Sequence, residues 1–275
     1  MIERSELIEV VTRQVLATLA GQTDQGLELA SEVVANGAER IGYCGNGADV
    51  PSGLSQYIDH TLLRPDASAD EIDNLCDEAV QYRFAAVCLN PSWVSRAARR
   101  LRGSGVTVAS VVGFPLGANT PEIKAMEARR ALRDGAREID MVINIGALKG
   151  GDHDFVRRDI AGVSDACREV GALNKVIIEA AYLSDEEKVI ACRLSVEGRA
   201  HYVKTSTGFG PGGATIFDVS LMREVVGPKI GVKAAGGIHT AAEVREMITA
   251  GATRIGASAG VRIVSGEEGE SGESY

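Results

Sequence analysis

Short apolar runs alternate with longer segments of helical spacing along the chain from about residue 57 onwards. The runs are nearly continuous in apolar residues, which is typical of strands buried on both faces of a parallel sheet. Eight runs fit this description, and we predict strands at residues 57–61, 85–90, 106–113, 138–144, 175–180, 201–206, 230–236 and 254–258. Strands and helices that alternate strictly require parallel pairing with right-handed crossovers.

The segments between these runs carry signals that begin and end helices. Ser68 and Ser184 each stand three residues before a glutamate, which is the spacing of a capping box, and Pro121 suits the first turn of a helix. Glycines close several of these segments, at positions 135, 171, 198, 227 and 251. Eight strand–helix units predict an α/β fold of the TIM (β/α)8 barrel class, with an open eight-stranded sheet as the alternative.

The two ends of the chain do not follow this alternation. We predict an amphipathic helix at 6–19 and a second helix at about 27–35, joined by a linker. The glycine-rich stretch 42–47 is interpreted as a plain turn, because no βαβ unit of a nucleotide site follows it. The sequence thus divides into an N-terminal helical extension and linker at 1–56, a TIM-barrel domain at 57–264 and a flexible acidic tail at 265–275.

Composition and charge exclude several kinds of partner. The chain carries 29 Lys and Arg against 38 Asp and Glu, so that neither nucleic acid nor an anionic membrane is an expected partner. No apolar run approaches the roughly 20 residues that span a bilayer, and the N-terminus does not resemble a secretory signal. The five cysteines lack metal-finger spacing and are expected to be buried, reduced thiols. We therefore expect a cytoplasmic protein with small-molecule partners.

Two lysines and an aspartate near strand ends are the candidates for chemistry. Lys204 and Lys233 lie near the ends of neighbouring strands, and if both point inward one ammonium would lower the pKa of the other. A neutral lysine is a nucleophile toward carbonyl groups, and Asp140 on the fourth strand could move protons beside it. Either lysine alone could be a rim residue, and Asp140 could simply pair with one of them. The three together favour a Schiff-base aldolase.

Glycine-rich ends of the last two strands predict a phosphate site. Gly236 and Gly237 follow the seventh strand, GASAG at 256–260 follows the eighth, and helices begin after both. Backbone N–H groups at such turns approach an anion closely, and this is where barrels of this class commonly hold phosphate. Gly208 extends the donor surface after the sixth strand. Tight strand–helix turns without a ligand are the alternative.

The chain is similar to the bacterial deoxyribose-phosphate aldolases, which are class I (Schiff-base) enzymes. The motifs that carry the resemblance are IDHTLL at 58–63, VCLNPSW at 87–93, VVGFPLGA at 111–118, DMVINIGAL at 140–148, YVKTSTGF at 202–209 and GGAT at 212–215. The resemblance implies reversible cleavage of 2-deoxy-D-ribose 5-phosphate to D-glyceraldehyde 3-phosphate and acetaldehyde. It also implies that the reaction uses no metal and no organic cofactor.

The resemblance also assigns roles to residues. Lys204 matches the Schiff-base lysine, Lys233 matches the lysine that lowers its pKa, and Asp140 matches the aspartate that relays protons through water. The phosphate-binding positions are Gly208, Gly237, Ser258 and Ala259, while Asp59 and Thr61 match a pair near the catalytic network. Where many relatives have Ser, Arg and Thr, this chain has Ala235, His239 and Ala180, which puts substrate affinity in question more than the reaction class.

Other functions and partners stay open at this point. A different Schiff-base barrel aldolase is one alternative, but a keto-acid enzyme would need an arginine at the mouth, and Arg254 begins its strand on the wrong face. A non-catalytic sugar-phosphate-binding or scaffold barrel is another. We expect the protein to form a homo-oligomer, specifically a dimer. Residues 1–20 are expected to dock on the barrel or a second subunit, with a bacterial microcompartment shell as the alternative, and Tyr275 is either a tail proton donor or a disordered end.

Overall fold

A closed barrel of eight parallel strands forms the centre of the computed structural model, which describes residues 53–266. The strands are β1 Ile58–Leu62, β2 Ala86–Leu89, β3 Thr107–Val112, β4 Glu138–Val142, β5 Leu173–Ile177, β6 Tyr202–Lys204, β7 Gly231–Ala235 and β8 Arg254–Ala257. They follow one another in chain order around the barrel, and β1 pairs with β8 to close it. The TIM-barrel prediction is confirmed, and the open sheet is excluded.

Helices follow every strand. They are α1 Ala69–Tyr82, α2 Val94–Arg100, α3 Pro121–Asp134, α4 Ile145–Lys149, α5 His153–Arg168, α6 Asp185–Glu197, α7 Ile216–Val226, α8 Ala241–Thr249 and α9 Gly260–Ser265. Short 3-10 turns at Ser55–Tyr57, Pro91–Trp93 and Ala180–Tyr182 precede β1, α2 and α6. All eight strands overlap the predicted ranges, most of which extend past the observed C-terminal ends because the chain leaves the sheet there to form the loops of the barrel mouth.

The predicted helix signals act as expected. Ser68 and Ser184 form capping boxes with Glu71 and Glu187, in which each partner accepts a backbone N–H of the other. Pro121 occupies the first turn of α3, and Gly135 ends that helix with a φ of 118°, a backbone conformation that side chains other than glycine rarely adopt. These local signals fix where the crossover helices start, and so how long each mouth loop is.

Side chains on each strand alternate between two environments. One set, which includes Ile139, Met141 and Val232, faces the helices and joins the main apolar core. The opposite set faces the barrel interior, where Cys88, Ala109 and nearby residues form a small apolar cluster beside β2 and β3. The interior also contains buried charged side chains, which are unusual in a protein core, and these form the candidate site.

Several predictions fall outside the residues that the structure describes. These are the helices at 6–19 and 27–35, the turn at 42–47, the tail beyond Gly266 with Tyr275, and Cys44. The other four cysteines, at positions 76, 88, 167 and 192, are buried free thiols. Across residues 53–266, no helix is long and apolar enough to cross a membrane.

Candidate active site

Seven ionisable side chains meet inside the barrel, and all are at most 5% exposed. This barrel ion cluster consists of Asp59, Glu138, Asp140, Lys175, Lys204, Lys233 and Arg254. Strand register brings the members together, because Lys204 pairs with Lys233 across β6 and β7 while Asp140 pairs with Lys175 across β4 and β5. The three residues that sequence reasoning selected as catalytic therefore lie in one buried group.

Asp140 lies at the centre of the cluster and contacts three amines. Its Oδ2 accepts hydrogen bonds from the Nζ atoms of Lys204 at 3.0 Å and Lys233 at 2.8 Å. Its Oδ1 accepts one from Lys175 Nζ at 2.7 Å. Burial alone would raise the pKa of this carboxyl, but the three neighbouring cations outweigh burial and hold the pKa well below its usual range. Asp140 is therefore an ionised base with one oxygen directed at two lysines.

The pKa values of the two mouth lysines are shifted in opposite directions. Burial, and then the charge of Lys233, lower the pKa of Lys204, although Asp140 opposes them. Burial also acts to lower the pKa of Lys233, but the carboxylates of Asp140 and Asp59 raise it well above its usual value. The Lys233 Nζ lies 2.5 Å from Asp59 Oδ2 as well as 2.8 Å from Asp140. Lys204 is thus the amine that favours the neutral, nucleophilic form, with burial as the larger cause and Lys233 as the smaller.

Sequence reasoning did not select Glu138 or Lys175 as site residues, and it expected Arg254 to lie on the wrong face of its strand. Lys175 Nζ contacts Glu138 Oε2 at 2.6 Å in addition to Asp140. Arg254 does not lie on the wrong face: its side chain points into the barrel, where it contacts Asp59 at 2.6 Å and Glu138 at 3.0 Å. The signal that could have revealed Lys175 is a lone cation inside an apolar run, on the strand that follows Asp140.

Asp59 and Thr61 both lie in the barrel interior, as expected for a pair near the catalytic lysines. The Asp59 carboxylate joins Lys233 to Arg254, and those cations depress its pKa although burial opposes them. The Thr61 hydroxyl donates to the backbone carbonyl of Asp59 at 2.7 Å. Asp59 is thus a direct member of the ion cluster, whereas Thr61 contacts the backbone of that strand.

The loops that follow β6 and β7 lie against each other at the barrel mouth. A Cβ atom added to Gly236 would lie 3.8 Å from the Gly208 Cα, and one added to Gly213 would lie 2.3 Å from the Gly236 carbonyl oxygen. The distance at position 213 leaves no room for a side chain, so only glycine permits that approach. Gly208 and Gly237 have φ values of 90° and 73°, which turn their N–H groups away from ordinary strand geometry.

Backbone donors collect at these loops and at the end of β8. Within residues 53–266, the N–H groups of Gly208, Gly237, Ser258 and Ala259 donate to no other residue. Ser258 is exposed, and Ala259 directly precedes α9. The four predicted phosphate positions therefore offer backbone donors without internal acceptors.

Glu179, which sequence reasoning did not select, holds the loop that follows β6 by hydrogen bonds. Its carboxylate accepts from the Thr207 hydroxyl at 2.5 Å and from the Thr207 N–H at 3.1 Å. Burial raises the pKa of this carboxyl, while the two bonds from Thr207 act against burial. Glu179 itself has a φ of 52°, so the backbone turns sharply there to direct its side chain at the loop.

Comparison with known proteins places this site in a family. Residues 54–266 match the model of the DeoC/LacD family aldolases. A deoxyribose-phosphate aldolase from Enterococcus faecalis is 58% identical over 217 residues, which is 79% of this chain and 98% of the relative. A deoxyribose-phosphate aldolase from Thermococcus gammatolerans is 60% identical over 215 residues, covering 78% of this chain and 96% of the relative.

A solved structure agrees with the sequence relatives. The deoxyribose phosphate aldolase from Aeropyrum pernix, described as tetrameric, superimposes with a TM-score of 0.74 at 31% identity. The match covers 86% of this chain and 96% of that structure. The family expected from the motifs is confirmed, and the chain belongs to the DeoC/LacD family of aldolases.

Proposed function

We propose that this chain is a class I aldolase that reversibly cleaves 2-deoxy-D-ribose 5-phosphate to D-glyceraldehyde 3-phosphate and acetaldehyde. The observation that carries the proposal is the bridging of Lys204 and Lys233 by one oxygen of Asp140 in a buried site. That arrangement places a nucleophilic amine, a fixed cation and an ionised base within hydrogen-bond reach of one another. The names of the relatives support the substrate.

Lys204 begins the reaction as the nucleophile. Its neutral amine adds to the aldehyde carbon of the open-chain sugar, and loss of water gives a protonated imine. Asp140 removes the proton from the C3 hydroxyl, directly or through a water molecule, and the C2–C3 bonding pair moves into the imine. Glyceraldehyde 3-phosphate leaves, and protonation of the resulting enamine at carbon followed by hydrolysis releases acetaldehyde and the free amine. The protonated imine is the acceptor of the electron pair that the C2–C3 bond releases.

The phosphate group binds to backbone donors at the other side of the mouth. The N–H groups of Gly208, Gly237, Ser258 and Ala259 are the donors, and the partial positive charge at the start of a helix adds to them. This local device compensates for a chain whose net charge is −9. A substrate held at its phosphate presents the far end of its chain to Lys204, which orders the reacting atoms before the bond forms.

Trapping the imine tests the proposal. The protein is incubated with acetaldehyde and borohydride and then digested. The mass of each lysine-containing peptide is measured by mass spectrometry, with the exposed Lys229 as an internal control. We expect an ethyl adduct confined to Lys204 and release of glyceraldehyde 3-phosphate in a coupled assay with the sugar phosphate. Trapping without release of glyceraldehyde 3-phosphate would indicate another Schiff-base aldolase. The absence of both trapping and release would indicate a non-catalytic barrel.

The N-terminal end of the chain carries a further proposal, and it lies outside the described residues. The sequence spacing would place Ile8, Val11, Val15 and Leu19 on one face of a helix, and such a face would need a partner. The partner is this barrel or a second subunit in a dimer, or else a bacterial microcompartment shell. Residues 1–22 fused to a fluorescent protein and co-expressed with shell proteins separate these cases. Diffuse fluorescence rejects encapsulation, whereas loss of solubility on deletion of residues 1–20 supports packing within the enzyme.

A further inference from the structure

The barrel ion cluster contains more basic groups than acidic ones. Three carboxylates, Asp59, Glu138 and Asp140, face four basic side chains: Lys175, Lys204, Lys233 and Arg254. Uncompensated charge is costly in a space where every member is at most 5% exposed. Three cations neutralise the three carboxylates, so that one basic group is in excess.

Contacts within the cluster identify the group in excess. Lys175 contacts two carboxylates at 2.6 and 2.7 Å, and Lys233 contacts two at 2.5 and 2.8 Å. Arg254 is held by Asp59 and by both oxygens of Glu138. Lys204 contacts only Asp140, at 3.0 Å, and shares that oxygen with Lys233. It is the one lysine of the cluster whose pKa is lowered rather than raised, with burial as the first cause.

We propose that Lys175 and Glu138 are a charge-matched pair of positioning residues that act on Lys204 in opposite directions: the cation of Lys175 favours the uncharged amine and holds Asp140 in place, and the carboxylate of Glu138 offsets that charge. Lys175 holds Asp140 Oδ1, which leaves Oδ2 directed at Lys204 and Lys233. Glu138 compensates the charge of Lys175 and anchors Arg254, so that the deeper layer stays neutral. Neither side chain contacts Lys204. The catalytic meaning of the pair rests on the proposed function, but its effect on the Lys204 amine does not.

Other titratable groups face these residues from outside the cluster. Burial raises the pKa of Cys88, beside Asp140, to about 11, and lowers that of His201, near Lys175, to about 4. Glu179 also faces Lys204, but its carboxylate is held by Thr207. The remaining groups that face Lys175 are Asp59, Lys233, Cys167 and Tyr202. None of them is changed in the variants below.

Opposite charge removals provide the test. Lys175→Met removes a positive charge and should raise the pH at which Lys204 becomes reactive by about one unit, whereas Glu138→Gln should lower it by a comparable or smaller amount. The double variant restores neutrality and should return the midpoint close to that of the wild type. Reactivity is measured as brief reductive methylation with formaldehyde across neutral to alkaline pH, by mass, with Lys229 as the internal standard. This measurement of lysine reactivity does not require aldolase activity.

Each outcome decides between the electrostatic role and a merely structural one. Shifts of opposite sign that cancel in the double variant support the proposal, and Lys175→Arg should keep the wild-type midpoint. Unshifted midpoints, or shifts of the same sign, overturn it, whether or not borohydride trapping shows the proposed activity. If Lys175→Met does not fold, Glu138→Gln and the double variant still test the proposal. Glu138→Gln should lower the midpoint, and the double variant should return it to that of the wild type. A lowered midpoint that persists in the double variant overturns the proposal.

Discussion

Replacing Lys233 by leucine should move the pH dependence of Schiff-base formation upward. Lys204 and Lys233 donate to the same Asp140 oxygen at 3.0 and 2.8 Å, so their nitrogens are less than about 6 Å apart. Two unit charges at about 6 Å interact by about 3 kcal/mol at an effective dielectric constant of about 20, which corresponds to about two pKa units. Burial is the larger cause of the lowered Lys204 pKa and the charge of Lys233 is the smaller, so that removal of Lys233 should raise that pKa and reduce the neutral fraction of the nucleophile.

The assay is borohydride trapping with acetaldehyde, and kcat/KM for the sugar phosphate, each measured over a range of pH. Lys233→Arg serves as the matched control, because it keeps the charge and should keep the midpoint near that of the wild type. We expect Lys233→Leu to react slowly at neutral pH and to recover as the pH rises. A midpoint that stays in place while the rate falls at every pH would refute the electrostatic reasoning and leave Lys233 a structural role.

Three further predictions address the remaining parts of the site. Lys204→Ala should abolish trapping while thermal unfolding shows a folded barrel, and an adduct that persists on another lysine would contradict the assignment. Gly237→Ala places a side chain at a φ of 73° with nothing within 4 Å of the new Cβ, so about 1 kcal/mol of backbone strain should raise KM for the phosphorylated substrate roughly fivefold; equal losses with unphosphorylated aldehydes would argue against a phosphate role. Deletion of Tyr275 should slow exchange of the acetaldehyde methyl protons with solvent, measured by NMR, and unchanged exchange would leave the tail without a catalytic part.

The alternation of apolar runs and capped helices favoured the barrel, and the closed strand order of the structure excluded the open sheet. Strand and helix formation depend on spacing and on local signals such as the capping boxes at Ser68 and Ser184, which act over a few residues. Lys204, Lys233 and Asp140 were also identifiable, because barrels carry their chemistry at strand ends and a buried lysine needs a reason. Glycines at the ends of β7 and β8 predicted a phosphate site in the same way, and that site stays a prediction.

The charge state of the site was decided only by the tertiary structure. Arg254 and Asp59 are 195 residues apart in the chain, and they meet because β8 pairs with β1 to close the barrel. Glu138 and Lys175 looked like ordinary strand residues until the register directed both inward beneath Asp140. A pKa depends on burial and on every charge within a few ångströms, and neither quantity is a property of local sequence. The sequence therefore determined which residues could react, and closure of the barrel determined which amine has the lowered pKa.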